Sequence, residues 1–175
     1  MNDPVSGGAA IVAIAPKPGV GMVEVPVGDV MTLQLYLHPG SDGYPNIRRS
    51  VFTFVVPSEM AIHDETAPVV DGMTHTVEAF SHEPNRKSVV IHHRGKAVPA
   101  DGLVGRVRVQ ALRSVSQCAL KLTDVTLEAS VNDALRTFSV DEVEGGDLWV
   151  HIPNRGVRAA MLVGNIRPPI RSARD

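Results

Sequence analysis

The chain has 175 residues, 43% hydrophobic and 21% charged, with a formal net charge of −2. That is apolar enough for one packed domain rather than a disordered chain, and too near neutral for the whole molecule to be drawn to nucleic acid or an anionic membrane. Aromatics make up only 4%, so the core has to be filled mainly by Val, Leu, Ile, Ala and Met, and a single cysteine, Cys118, excludes an intrachain disulfide.

The first apolar run, 9-AAIVAIA-15, is far short of the ~18–20 residues that span a bilayer. The Met-Asn-Asp before it carries a negative charge where a secretory leader carries a positive one. Neither membrane insertion nor a leader is expected. Strand-like segments then follow at 9–15, 22–27, 30–38, 50–56, 73–80, 87–93, 103–112, 118–129, 136–143 and 147–152. Between them lie Pro16-Lys17-Pro18-Gly19, Gly40-Ser41-Asp42-Gly43, Asp71-Gly72, Pro99-Ala100-Asp101-Gly102 and Gly145-Gly146, the turn chemistry of tight β connections. Many short strands so spaced predict an all-β, antiparallel β-sandwich of jelly-roll type.

Three segments predict faces. In 28-GDVMTLQLYLHPG-40, Met31, Leu33, Leu35 and Leu37 alternate with Thr32, Gln34 and Tyr36, the period of a half-buried strand. In 50-SVFTFVV-56, Phe52, Phe54 and Val56 share one side, leaving Arg49, Val51, Thr53 and Val55 on the other. This second side is rich in β-branched carbon with an arginine at its edge. It suits a protein-binding surface, and equally a surface covered by another strand or by the C-terminal extension. In 103-LVGRVRVQAL-112, Leu103, Val107, Val109 and Ala111 point inward and Arg106, Arg108 and Gln110 outward. The one helical candidate is 130-SVNDALRTF-138, with Ser130 as a cap. After Ile152 the chain turns basic: Arg155, Arg158, Arg167, Arg171 and Arg174 stand against one acid. An arm docking on an acidic neighbour and a solvated linker are both open readings. The domain division is therefore 1–152 for the sandwich and 153–175 for a basic extension.

Catalytic and metal chemistry finds little footing. His92 and His93 are strand neighbours that point to opposite faces. His63-Asp64-Glu65 offers two ligands, but loop placement explains it as well. Gly19-Val20-Gly21 has Glu24 where a dinucleotide fingerprint needs glycine. No HExxH, CxxC, EF-hand, Walker or GxSxG motif occurs. Cys118 reads as a small buried hydrophobe and Trp149 as a core or rim residue. The scattered carboxylates nominate no glycosidase pair. No cofactor and no enzymatic activity are expected.

The order of segments resembles a cohesin domain. The Gly-Asp turn and alternating strand are 28-GDVMTLQLYL-37, and the aromatic strand ending in Pro is 52-FTFVVPSEMAI-62. The Pro-x-Arg-Lys turn is 84-PNRKSVVIHH-93, the Asp-Gly strand is 101-DGLVGRVRVQAL-112, the Leu-x-Leu-x-Asp-Val segment is 120-LKLTDVTL-127 and the terminal Gly-Gly strand is 145-GGDLWVHI-152. Two departures stand out: Val55-Val56 replaces the family's Tyr-Asp, and the basic tail has no counterpart. The resemblance implies a non-enzymatic adhesion module, extracellular or on the cell surface, receiving a dockerin-like partner on one sheet face. Carried onto this chain, that face comprises Arg49, Val51, Thr53, His92, Arg106, Arg108 and Gln110. The alternative is a structural sandwich subunit of a virion, fibre or surface assembly whose termini contact neighbours. A carbohydrate-binding or hydrolytic sandwich is a third class, lacking the aromatic platform that sugar stacking needs.

Overall fold

The computed structural model describes residues 3–14, 22–39, 46–63, 70–80, 82–144 and 146–154. The arm at 155–175, and Asp64 and Glu65 of the two-ligand motif, lie outside them. The strands are β1 (Asp3–Ile14), β2 (Val23–Glu24), β3 (Val30–Pro39), β4 (Ile47–Val55), β5 (Met60–His63), β6 (Thr74–Phe80), β7 (Glu83–His92), β8 (Leu103–Ala111), β9 (Val115–Val131), β10 (Ala134–Glu144) and β11 (Asp147–Ile152). No helix occurs among the described residues.

The hydrogen-bonded order is β5-β8-β3-β1-β10-β9-β4-β7-β6, with β11 pairing β2 and β9 beside it. This ladder folds back on itself into a sandwich. One layer is β5-β8-β3-β1, the other β9-β4-β7-β6, and β10 passes between them. The start of β10 pairs with β9 from Ala134 to Ser139, and its later residues pair with β1. Both layers bury one side in a shared core. Met31, Leu33, Leu35 and Leu37 of β3 meet Phe52 and Phe54 of β4, Val89 and Ile91 of β7, and Leu120, Val125 and Leu127 of β9. The layers touch at Gly105 on β8, where an added Cβ would lie 2.8 Å from Ile91 Cδ1.

The inward sets expected for β3 and β4 are buried, as are Val107, Val109 and Ala111 of β8. Leu103 is a correction: the register shift between Leu35 and Tyr36 sets it opposite the outward Tyr36, and Val104 enters the core instead. Three further points differ. The pairing is not wholly antiparallel, because β1·β10 and β2·β11 run parallel. The segment 130–138 is not helical: Asn132 and Asp133 take φ of 51° and 64°, turning β9 into β10 as a hairpin of the kind two adjacent positive-φ residues favour. The four-residue β5 was not anticipated; after the Pro57–Met60 turn it pairs with β8 from Met60↔Ala111 to His63↔Arg108.

Two stability predictions follow from local geometry. Gly102 has φ +83°, and a Cβ there would stand 2.5 Å from the Leu37 carbonyl oxygen, while the Leu37 amide donates to the Gly102 carbonyl at 2.8 Å. Gly102→Ala should cost about 2 kcal/mol or more in urea unfolding, because both backbone conformation and contact are lost. His93 is fully buried. Its Nε2 and Ser50 Oγ share a hydrogen bond of 3.0 Å, and its Nδ1 has no partner. Burial first, then the neighbouring His92 charge, lowers its pKa to about 4 from the ordinary 6.5. Between those values the unfolded chain takes up a proton that the folded chain refuses. The stabilisation is therefore complete above pH 6.5 and lost as pH falls towards 4, about 3 kcal/mol in all. His93→Gln, which does not titrate, should flatten that part of the stability–pH curve.

Candidate functional site

Cross-strand pairing assigns each expected site residue to a face. On the outer side of β9-β4-β7-β6, directly opposed residues form three rows. The first is Thr74, His92, Arg49, Glu128 and Thr137; the second is Thr76, Val90, Val51, Thr126 and Ser139; the third is Glu78, Ser88, Thr53 and Asp124. Arg49, Val51, Thr53 and His92 are thus neighbours on one wall. Arg106, Arg108 and Gln110 are not part of it. They lie on the outer side of the opposite layer, where β8 pairs Arg106 with Gln34 and Arg108 with Thr32 of β3. The seven residues that the resemblance placed on one face divide between the two sides of the sandwich. Alternation gives the inside and outside of β3, of β4 and of β8 from Gly105 onward, but it does not say which layer a strand joins.

The middle of the first wall is closed. Thr53 is 6% exposed, Ser88 4% and Val90 2%, although all three face away from the core. The Thr53 and Ser88 hydroxyls bond each other at 3.0 Å, so Thr53 is satisfied internally and presents no free polar group. Val51 beside them is half-buried.

The wall opens at the Arg49 end, through two backbone irregularities. The β4·β9 register shifts between Ile47 and Arg49. This β-bulge leaves Arg48 unpaired with β9 and turns two consecutive arginines away from the core, with Ile47 and Ser50 buried on either side. Beyond β7, the Lys96 amide bonds the His93 carbonyl at 2.9 Å. That turn has positive φ at both central residues, Arg94 (50°) and Gly95 (80°). Bulge, turn and β9–β10 hairpin together enclose a groove of about 650 Å³, lined among others by Asn46, Arg48, Arg49, His92, Arg94, Glu128 and Leu135. Arg49 Nε donates to Glu128 Oε2 at 2.6 Å, and Nη2 reaches the same oxygen. Arg94 Nε makes a long 3.4 Å bond to Thr74 Oγ1. The sequence reading missed Arg48, Arg94 and Leu135; Ile-Arg-Arg-Ser carries no bulge signal, and Arg94 precedes the Gly95 that alone marks its turn.

The opposite wall is polar of another kind. Tyr36 and His38 stack with ring centroids 5.7 Å apart, the Tyr36 hydroxyl donates to Gln34 Oε1 at 3.0 Å, and His63 Nε2 lies 3.0 Å from Gln110 Oε1. Arg106 and Arg108 are exposed there. Elsewhere, Cys118 is half-buried, and burial, with a smaller contribution from Glu59, raises its thiol pKa to about 11. It is a thiol rather than a thiolate at neutral pH. Trp149 is 41% exposed on β11, a rim position. Among the described residues no group of three or more His, Cys, Asp or Glu is placed to hold a metal ion.

No protein-family model matches the chain, and no curated protein matches it. Solved structures do. The cohesin module of a Clostridium perfringens family 33 glycoside hydrolase is 16% identical with a TM-score of 0.56, over 80% of this chain and 98% of that module. A type II cohesin domain from the Acetivibrio cellulolyticus cellulosome is 11% identical with a TM-score of 0.53, over 82% and 95%. The structure of a type I cohesin–dockerin complex from Clostridium thermocellum matches at 10% identity and a TM-score of 0.50, over 88% and 97%. The protein has a cohesin-like β-sandwich fold.

The Arg49–Glu128 pair is half-exposed, so its energy should be small. A double-mutant cycle of Arg49→Met and Glu128→Gln should give a coupling of roughly 0.5–1 kcal/mol that falls in high salt. The pair's role is to fix the Arg49 side chain across the wall.

Proposed function

We propose that the chain is a non-enzymatic protein-recognition module working outside the cell or at its surface, and that a protein partner docks on the outer side of β9-β4-β7-β6. Arg49, Val51, Thr53 and His92 belong to that surface in this reading, with Thr53 as part of its closed floor. The observation that carries it is the contrast between the two ends of one wall. The middle is closed, with Thr53, Ser88 and Val90 buried, and the Arg49 end opens into a groove lined by three arginines against one glutamate. Interfaces between folded proteins are anchored by a few residues, arginine prominent among them, seated in pockets. The fold supports the same class of function, since one structural neighbour was solved as a cohesin–dockerin complex; a dockerin-like domain is the partner this suggests.

Arg106, Arg108 and Gln110 provide the control surface. Immobilised wild-type protein, Val51→Lys and Arg108→Glu would each be offered the proteins of the source organism, and the bound species compared. Capture should drop at least tenfold for Val51→Lys and stay at the wild-type level for Arg108→Glu, with melting temperatures unchanged. The reverse pattern would move the docking surface to the β3–β8 wall. Ordered polymers of the isolated protein by electron microscopy would favour an assembly subunit instead.

A further inference from the structure

We propose that the groove at the β4 bulge takes a carboxylate side chain, supplied by an acidic loop of the protein partner that docks on the adjoining wall; this rests on the reading above and names the partner's chemistry. Three guanidinium groups line the groove against one carboxylate, and that carboxylate is already engaged: Glu128 pairs with Arg49. Arg48 and Arg94 meet no carboxylate among the described residues. Two cationic side chains are therefore left at a recess of about 650 Å³, room for a side chain with part of its loop. Planar guanidinium groups suit a carboxylate because their donors match its two oxygens.

The backbone supports the assignment independently. Arg94 occupies a left-handed conformation, φ 50°, in which glycine or asparagine is the unstrained choice. Strain of that kind, on the order of 1 kcal/mol, tends to persist where a side chain is needed in place. Arg48 owes its outward position to the bulge, another device that re-aims a side chain. Leu135, 57% exposed on the groove wall, offers apolar contact to the stem of the entering residue. A phosphate backbone fits less well. The rows leading from the groove carry Glu78, Asp124 and Glu128, which would repel a polyanion, and no tyrosine, phenylalanine or tryptophan lines the groove for base stacking.

The test is a titration of isotope-labelled protein followed by amide chemical shifts at low salt. The probe is a capped hexapeptide carrying three glutamates and one leucine; its glutamine counterpart and inorganic phosphate serve as controls. The glutamate peptide should give saturable shifts at Arg48, Arg49, Arg94 and Ser130. Its affinity should be at least tenfold weaker in Arg48→Ala/Arg94→Ala, whose spectrum reports whether the fold is intact and which leaves the Arg49–Glu128 pair in place. Equal binding of the glutamine peptide, undiminished binding by the double variant, or saturation by phosphate with the peptide silent would each overturn the proposal. If the peptide fails while Val51→Lys still loses its captured partner, the groove assignment alone falls. If the peptide binds while Val51→Lys captures normally, the docking wall falls and the groove's carboxylate chemistry stands.

Discussion

β4 is hydrogen-bonded along both edges, to β7 from Arg49↔His92 to Val55↔Arg86 and to β9 from Ile47↔Ala129 to Val55↔Lys121. Because side chains alternate with a period of two, this double ladder fixes the inner and outer walls together. Slipping by one residue would exchange Phe52 and Phe54, both fully buried, for Val51 and Thr53. Two phenylalanine side chains returned to water cost about 2–3 kcal/mol each. The register of the outer rows is held by the hydrophobicity of the inner ones.

That constraint shapes the outer wall of β4 and β7. Along the regular β4·β7 pairing, opposed residues are small: Thr53 faces Ser88 and Val51 faces Val90. Little polar capacity is left over there. Where the ladder is broken, by the bulge at Arg48 and the turn at Arg94, long cationic side chains face outward without matching acids. The Arg49–Glu128 pair stands at the boundary. Being half-exposed, it adds little stability, but it holds one arginine along the wall and leaves the other two to the groove. Fold stability and the proposed recognition thus draw on different parts of the same strand.

Much of this was legible in the sequence. The alternations of β3 and β4 named their core residues, that of β8 did so up to the irregularity where Val104 replaces Leu103 in the core, and the order of turn motifs resembled the fold that the solved structures share. Layer membership was not legible. Val51 and Arg108 both sit outward on alternating strands, and only long-range pairing of β4 with β9 and of β8 with β3 separates them to opposite walls. The 130–138 segment misled because Ala134 and Leu135 are good helix formers, whereas the backbone follows Asn132 and Asp133 into a hairpin. The bulge that builds the groove depends on pairing with a strand about 80 positions away in sequence. No local pattern announces it.

The central claim is that the partner meets the β4–β7 wall at its Arg49 end. Amide chemical-shift mapping of the labelled protein in complex with its captured partner tests this most directly. The account predicts the largest changes at residues 46–51, 92–95 and 128–135, with those of β3 and β8 nearly unmoved. Changes concentrated at residues 32–38 and 104–110 would contradict it.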